Sequence, residues 1–271
     1  AEGAEVIGLD AHDAYYDPAL KAAREAQLRP HPGFTAIRAR VEDAGVLADI
    51  FATHKPDFVV HLAAQAGVRY SITNPRAYLE SNLIGTFELL EAARAHPPRH
   101  MLLASTSSAY GANTEMPYRE TDKADAQMSF YAATKKSTEA MAHSYAHLFG
   151  LPVTMFRFFT VYGPWGRPDM APWLFTSAII AGQPIKVFNH GDMRRDFTYV
   201  TDLVRAIRLL MDAVPGDAPI GPEDSLSPVA PFRVVNIGNG APVELLDFIA
   251  AIESATGKQA IRQMLPMQPG D

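Results

Sequence analysis

The chain has 271 residues, of which 48% are hydrophobic, and its formal net charge is −6. This length and apolar content suit one large α/β domain or two smaller lobes with a proper core. The absence of cysteine excludes disulfides, thiolate metal ligands and thiol nucleophiles. No basic cluster is present and no apolar run approaches a membrane span of roughly 18 residues, so neither nucleic acid nor a membrane is an expected partner.

The first part of the chain alternates short apolar runs with amphipathic stretches. Buried strands are predicted at residues 6–10, 57–64, 100–105 and 153–158. Helices are predicted at residues 41–54, 77–95 and 131–149, and Gly150 closes the last of them. Strands that alternate with helices predict an α/β fold with a doubly wound parallel sheet.

The composition changes after Tyr162, where a loop rich in Gly, Pro and Trp leaves the predicted sheet. We therefore expect residues 1–163 to form the domain that contains the sheet. Residues 164–271 are expected to form mainly a smaller lobe, with some segments returning to the first domain. Residues 215–231 are rich in Pro, Gly, Asp and Ser, which predicts an exposed loop or a mobile lid.

Tyr131 and Lys135 stand one helical turn apart in the predicted helix 131–149. Side chains at this spacing share a helix face, so the ammonium group can stabilise a phenolate or contact the sugar of a cofactor. A free tyrosine titrates near about pH 10, and a catalytic one needs such a neighbour. The same spacing also arises by chance on ordinary amphipathic helices. The pair alone leaves both interpretations open.

A segment rich in hydroxyl groups, residues 105–111, follows a predicted strand. A hydroxyl of Thr106, Ser107 or Ser108 could hydrogen bond to an alcohol or ketone while the tyrosine moves a proton and a nicotinamide takes the hydride. The alternative is a turn that caps the strand. In an open α/β sheet, ligands lie at the carboxyl ends of the strands, so the segments that follow strands should converge. Those segments are residues 62–69, 105–111 and 159–160.

Together these segments resemble the extended short-chain dehydrogenase/reductase family, and within it the NAD-dependent nucleotide-sugar epimerases. The resemblance runs over essentially the whole chain. Its segments are residues 62–69, 82–86, 105–111, 131–135, 162–170 and 195–200. It implies that Tyr131 is the base and that Lys135 binds the nicotinamide ribose and lowers the tyrosine pKa. It also implies that Thr106, Ser107 and Ser108 polarise the reacting hydroxyl.

The same resemblance implies a Rossmann-like fold and NAD as cofactor. The first strand of that fold and its glycine-rich turn do not occur in this chain, so we expect a piece of a longer reading frame. Asp10 falls where a carboxylate accepts hydrogen bonds from the adenosine ribose and favours NAD over NADP; a turn or cap aspartate is the alternative. Asp43 falls where the family has an acid, whereas Arg40 stands where an adenine-contacting aspartate is expected. The other implied cofactor contacts are Leu62, Ala63, Ala64, Gln65 and Asn82.

Arg167 lies in the loop that follows Thr160. A guanidinium there can hold the carboxylate of a hexuronate with two parallel hydrogen bonds. The resemblance implies that Arg195 binds the substrate diphosphate and that Val187 and Phe188 line the uracil. A surface salt bridge is the alternative for each arginine. The other implied substrate contacts are Arg69 and Thr160.

The resemblance implies epimerisation at carbon 4 of a UDP-sugar, with UDP-glucuronate as the expected substrate and a 4-keto intermediate. Decarboxylation of UDP-glucuronate and epimerisation of another UDP-hexose remain alternatives. Elimination of water is disfavoured, because dehydratases carry acidic residues where Ser107 and Ser108 stand here. An alternative of another class is an inactive, substrate-binding fragment, since the glycine-rich cofactor turn does not occur in the chain.

No metal site is expected. His143 and His147 share a helix face, but no third ligand accompanies them, which favours a solvated face. By resemblance, the predicted helices 77–95 and 131–149 pair two copies into a homodimer. A cytoplasmic location is expected.

Overall fold

Apolar runs of the chain form strands, and amphipathic stretches form helices between them. The computed structural model describes residues 3–216 and 218–267. The strands are β1 (Val6–Leu9), β2 (Phe34–Ile37), β3 (Phe58–His61), β4 (His100–Ala104), β5 (Val153–Phe158), β6 (Thr160–Tyr162), β7 (Pro184–Val187), β8 (Arg194–Tyr199), β9 (Phe232–Ile237), β10 (Pro242–Glu244) and β11 (Ile261–Met264). The helices are α1 (Pro18–Leu28), α2 (Val46–His54), α3 (Tyr70–Thr73), α4 (Pro75–Tyr78), α5 (Gly85–Ala95), α6 (Phe130–Phe149), α7 (Ala171–Ala181), α8 (Val200–Asp212) and α9 (Leu245–Thr256). Within these described ranges, no helix is both long and apolar enough to cross a membrane.

β3, β4, β5 and β9 form the central sheet in that order, and every neighbouring pair is parallel. Side chains alternate between the two faces of a strand. Met101 and Leu103 of β4 accordingly join the core beneath α2, α5 and α6, whereas Leu102 and Ala104 join a second core beneath α8. Helices therefore cover both faces, and the predicted α/β fold with a parallel sheet is confirmed.

β1 pairs in parallel with β2 as a separate two-stranded sheet. Among residues 3–216 and 218–267 no ladder joins β1 to the central sheet. β1 pairs with β2 alone, a strand that the sequence patterns did not identify. Leu9 and Ala63 nevertheless pack against the same core cluster.

Two predicted element boundaries also shift. α2 begins at Val46 rather than at residue 41, because Gly45 has a φ of 85° and the Asp43 N–H closes a turn onto the Arg40 carbonyl. The predicted strand 57–64 ends at His61, where its ladder with β4 ends. The residues after His61 are thereby released into a loop, and they contribute to the site described below.

The later part of the chain is divided between the central sheet and other layers. β6, β8 and β10 form a three-stranded sheet, and β7 pairs with β11 beneath α7 and α9. α8 and β9 return to the central sheet, as the sequence analysis expected for some segments. The boundary between residues 163 and 164 stays a prediction.

The loop predicted at residues 215–231 is anchored at its C-terminal end, as far as the structure describes it. Asp224 receives two hydrogen bonds from Arg233, at 2.7 and 2.9 Å, and both side chains are buried. His143 of α6 contacts the Ser227 hydroxyl at 2.8 Å, and His147 contacts the Val229 carbonyl at 2.7 Å. The expected solvated face at these histidines is therefore a docking face for the loop.

Gly111 is expected to tolerate no side chain. Its φ is 59° and its ψ is −121°, and a Cβ there would lie 2.1 Å from the Ala126 carbonyl oxygen. Gly111→Ala should cost about 3 kcal/mol or more, because left-handed strain adds to a clash with backbone. Gly150→Ala is the matched control: its φ is 66° with nothing within 4 Å, so about 1 kcal/mol is expected. Urea unfolding measures both, and equal losses would contradict the prediction.

Candidate functional site

Three loops meet at the carboxyl edge of the central sheet, because β3, β4 and β5 are parallel neighbours. The hydroxyl segment after β4 forms a short 3-10 turn, Ser107–Tyr110. Thr106 caps this turn by accepting a hydrogen bond from the Ser108 N–H at 3.2 Å, and only 7% of Thr106 is exposed. Ser107 and Ser108 are partly exposed at the same edge.

Tyr131 lies at the start of α6, where Ser129 caps the helix by accepting from the Ala132 N–H. Burial raises the Tyr131 pKa above its usual value, while a hydrogen bond with Thr106 and the positive charge of Arg167 oppose that rise. The net shift is upward. The structure thus brings Thr106, Tyr131 and Arg167 together, but it does not reproduce the lowered tyrosine pKa that the resemblance implies.

Lys135 is one turn further along α6 and only 3% exposed. Burial lowers its pKa to about 8, because the ammonium loses hydrating water, and the negative charge of Glu139 partly opposes the shift. His61 is also buried beside it; burial and the Lys135 charge lower the histidine pKa to about 3, so the imidazole is neutral. Among the described residues His61 Nε2 has no hydrogen-bond partner.

The Lys135 ammonium is predicted to titrate near pH 8 in the cofactor-free protein. Its ordinary pKa is 10.5, so the proton should be lost well before those of surface lysines. Carbon-13 NMR of labelled lysine side chains measures this directly, with Lys135→Met assigning the signal. A midpoint at the ordinary value would contradict the burial on which the site depends.

Asn82 fixes the loop after β3 against α6. It lies in a π-helical turn, Leu79–Ile84, that joins α4 to α5. Its side chain is 1% exposed, accepts from the Gln65 N–H at 2.8 Å and donates to the Gln65 carbonyl at 3.1 Å and to the Thr134 hydroxyl at 3.0 Å. Single π-helical turns recur at functional sites, and this one holds the backbone of Gln65 beside α6.

Tyr78 and Gly67 complete that side of the site. The Tyr78 hydroxyl donates to the carbonyls of Ala66 and Gly67, and its ring lies edge-on to Tyr131 with 5.9 Å between centroids. Gly67 has a φ of 102°, and a Cβ there would lie 3.3 Å from the Tyr15 hydroxyl and 3.7 Å from Arg167 Nη2. A glycine is therefore required where the loop passes these groups.

A buried charged network lies directly behind Lys135. Glu139 accepts two hydrogen bonds from Arg157, at 2.9 and 2.8 Å, one from the Ser105 hydroxyl at 2.6 Å and one from Lys136 at 3.0 Å. Burial would raise the Glu139 pKa, but these bonds and the Arg157 charge outweigh it and hold the pKa below its usual value. The Arg157 guanidinium also lies 4.5 Å from the Tyr110 ring centroid.

The sequence analysis did not identify this network. The available signal was spacing, because Tyr131, Lys135 and Glu139 continue one helix face in steps of four. The network joins the end of β4, α6 and β5, and it ties Ser105, the residue before Thr106, to α6. It therefore fixes how the hydroxyl turn lies against Tyr131.

Arg167 is held by an acid that the sequence analysis also left without a role. Arg167 Nε donates to Asp169 Oδ1 at 3.0 Å, and Nη2 donates to Oδ2 of the same carboxylate. The Tyr15 hydroxyl donates to Asp169 Oδ2 at 3.1 Å. Arg24 of α1 donates to the carbonyls of Trp165 and Gly166 and fixes the same loop.

The predicted contacts to the cofactor adenosine are less well supported. Asp10 follows β1, and Lys21 and the His12 N–H donate to its carboxylate. Partial burial acts to raise the Asp10 pKa, but these donors outweigh it and lower the pKa. Asp43 is exposed in the turn before α2. Arg40 pairs with Asp13 and Glu42.

The predicted uracil and diphosphate contacts lie on or next to β7 and β8. Val187 is buried at the end of β7, and Phe188 begins the 3-10 turn that follows. Arg69 stacks on the Phe188 ring at 4.9 Å, which connects the loop after β3 with that turn. Thr160 begins β6, and Arg195 is exposed on β8.

The described residues fit a nicotinamide dinucleotide. Lys135 is only 3% exposed as a residue, no hydrogen bond contributes to its pKa within the described residues, and its ammonium donors suit the hydroxyls of a ribose. The Leu62, Ala63, Ala64 and Gln65 segment lies at the same edge, held by Asn82. Parallel sheet, hydroxyl turn and Tyr-x-x-x-Lys helix together define a nicotinamide-dependent enzyme of the short-chain dehydrogenase/reductase kind.

Comparison with known proteins specifies the family. The profile of the NAD dependent epimerase/dehydratase family matches residues 1–221, and the chain belongs to this family. A probable UDP-glucuronate 4-epimerase of Rhizobium meliloti (strain 1021) is 53% identical over 274 residues, which is 100% of this chain and 80% of that protein. The Staphylococcus aureus protein CapI is 48% identical over 273 residues, which is 100% of this chain and 81% of that protein.

The fold also matches that of a solved structure. A UDP-glucuronic acid 4-epimerase from Bacillus cereus, in complex with UDP-glucuronic acid and NAD, superposes with a TM-score of 0.85 and 30% identity. The match covers 98% of this chain and 80% of that chain. The predicted family is therefore confirmed.

Proposed function

We propose that the protein interconverts UDP-glucuronate and UDP-galacturonate through NAD-dependent oxidation and reduction at carbon 4. The observation that carries the proposal is the position of Arg167. A Cβ built on Gly67 would lie 3.7 Å from Arg167 Nη2 and 3.8 Å from the hydroxyl of Tyr78, whose ring packs edge-on to Tyr131. A carboxylate on carbon 5 and a hydroxyl on carbon 4 of one sugar can therefore be bound together by Arg167 and Tyr131. The epimerases of Rhizobium meliloti and Bacillus cereus support the same activity.

The side chains divide the chemistry between them. When bound, NAD would supply the hydride chemistry at carbon 4. Tyr131 takes the proton of the 4-hydroxyl in the first step and returns it in the second. Thr106 hydrogen bonds to Tyr131, and Ser107 and Ser108 offer further hydroxyls to the sugar. Lys135 holds the nicotinamide ribose and keeps a positive charge near the developing phenolate.

The 4-keto sugar must turn between the two steps, because the hydride returns to the opposite face of carbon 4. Loss of the carboxylate at this stage would make the protein a decarboxylase. Product analysis decides between these outcomes: UDP-glucuronate is incubated with the NAD-loaded protein, and the products are identified by NMR. UDP-galacturonate is expected. Unchanged substrate, or a UDP-pentose with carbon dioxide, would refute the proposal.

Replacing Arg167 should impair turnover of the uronate selectively. Arg167→Gln removes two charge-assisted hydrogen bonds to a carboxylate, so kcat/KM for UDP-glucuronate should fall about 100-fold or more. Arg167→Lys should rescue it only in part, because an ammonium cannot pair with both carboxylate oxygens at once. Any turnover of UDP-glucose serves as the control and should change little. An equal loss for both sugars would contradict the assigned contact.

Oligomeric state and location belong to the same proposal. Exposed apolar side chains on α5 and α6 support a homodimer through these helices; they are Phe87 at 45%, Leu148 at 65% and Phe149 at 43% exposure. Light scattering after size exclusion tests the dimer. A cytoplasmic location, with neither nucleic acid nor membrane as a partner, is tested by cell fractionation.

A further inference from the structure

Arg167 already holds a carboxylate that belongs to the protein. Asp169 accepts from Nε at 3.0 Å and from Nη2, which is the two-bond arrangement expected for a bound uronate. The side chains of Arg167 and Asp169 are 31% and 29% exposed, so both can be reached from the cleft. A substrate carboxylate must therefore compete with Asp169 for the same guanidinium edge.

The pair lies at the reaction centre rather than on a remote surface. Arg167 Nη2 is 3.7 Å from the Cβ position of Gly67, in the loop after β3, and the Arg167 charge acts on Tyr131. Asp169 has a second donor, the Tyr15 hydroxyl at 3.1 Å. If Asp169 leaves Arg167, it keeps this hydrogen bond and gains contact with water.

The proposed reaction requires such an exchange. The sugar must turn between the two hydride transfers, and a carboxylate held by Arg167 in one orientation has to leave it to reach the other. A guanidinium left without a partner in a partly buried site loses its charge-assisted hydrogen bonds. Asp169, two residues away, can replace the departing carboxylate without movement of the surrounding strands.

We propose that Asp169 is a positioning residue that exchanges with the substrate carboxylate on Arg167 and so frees the sugar to turn between the two hydride transfers. The inference rests on the proposed function. It distinguishes uronates from neutral hexoses, because a hydroxymethyl group cannot displace a carboxylate from both guanidinium nitrogens. In complexes with a neutral sugar, Asp169 stays hydrogen bonded to Arg167.

Asp169→Asn in the NAD-loaded protein is the central test, because asparagine keeps the shape and removes the competing charge. KM for UDP-glucuronate should fall about fivefold or more, since the substrate carboxylate no longer displaces an ion. The kcat value should fall about tenfold or more, since no carboxylate replaces that of the turning sugar. Any result in which KM and kcat do not fall together overturns the inference.

Tyr15→Phe should change KM in the direction opposite to that expected for Asp169→Asn. It removes the second donor to Asp169, so Asp169 should bind Arg167 more firmly and KM for UDP-glucuronate should rise. A fall in KM would overturn the exchange. Asp212→Asn is the matched control, because Asp212 pairs with Arg208 on the exposed face of α8 and should leave both constants unchanged.

The outcomes separate this inference from the proposed function. Failure of the unmodified protein to form UDP-galacturonate would refute the function itself. Normal turnover by the unmodified protein, combined with a raised KM and an unchanged kcat in Asp169→Asn, would refute only the exchange. Asp169 would then act as a fixed brace for Arg167.

Discussion

Tyr131→Phe is expected to lower kcat for epimerisation by about 1000-fold or more. The phenylalanine keeps the ring that packs against Tyr78, but it removes the hydroxyl that is proposed to exchange a proton with the 4-hydroxyl of the sugar. Positioned acid–base groups contribute roughly 100- to 10,000-fold. Initial rates with UDP-glucuronate measure the loss, and NAD binding should be retained.

Tyr145→Phe is the control for this substitution. Tyr145 lies on the same helix, and its hydroxyl donates to Glu91 at 2.6 Å, away from the hydroxyl turn. Its replacement should leave kcat within about twofold of the original, as for a surface hydrogen bond. A Tyr131→Phe enzyme with comparable activity would remove Tyr131 from the mechanism.

The raised pKa of Tyr131 has a consequence for pH dependence. Burial raises this pKa above 10, so the cofactor-free protein carries a neutral phenol near neutral pH. A group whose pKa is raised loses its proton, and so can act as a base, only at a higher pH. We therefore infer that the positive charges of Lys135 and of bound NAD are required to make Tyr131 a base in the working enzyme. Measured kcat should therefore rise with pH on the acidic side of the pH optimum.

Glu139→Ala is expected to produce the largest loss of stability. Arg157 is 2% exposed and Glu139 is 3% exposed, so removal of the acid leaves a buried guanidinium without its partner. Breaking a buried ion pair in this way costs about 3–5 kcal/mol. For a chain of this size we expect the midpoint of thermal unfolding to fall by roughly 10 °C.

Glu80→Ala is the matched control for Glu139. Glu80 pairs with Arg76 one helical turn away on an exposed surface, with side chains 41% and 79% exposed. Exposed pairs of this kind contribute about 0.5 kcal/mol or less. Urea and thermal unfolding compare the two variants, and similar losses would show that the buried network contributes little.

The pairing of Tyr131 and Lys135 was accessible from the sequence because its geometry is local. Four residues of helix determine that Tyr131 and Lys135 share a face, and the hydroxyl turn follows directly from the end of β4. β3, β4 and β5 of the central sheet were predicted for a similar reason, since each is a short apolar run, whereas β9 was not predicted. These features depend on neighbours in the sequence.

The remaining features depend on contacts between distant residues. Asn82 contacts Thr134, and Glu139 contacts Arg157 and Ser105, only after strands and helices have packed. No local pattern predicted that β1 would pair with β2 outside the central sheet. The Tyr131 pKa likewise follows from burial, which spacing alone does not determine.

Asp169 is an intermediate case. It is only two residues from Arg167, yet the loop conformation rather than the sequence brings their charged groups together. Its second partner, Tyr15, is 154 residues away and becomes a neighbour only because the loop after β1 lies against the same cleft. The pairing that motivates the exchange therefore required the folded chain.

Transfer of deuterium from carbon 4 tests the central claim most directly. UDP-glucuronate labelled with deuterium at carbon 4 is incubated with the NAD-loaded protein, and the product is examined by NMR and mass spectrometry. UDP-galacturonate that retains the label at carbon 4 is predicted, because the same hydride leaves and returns within one bound complex. Exchange of that label with solvent, or release of carbon dioxide with a UDP-pentose, would contradict the account.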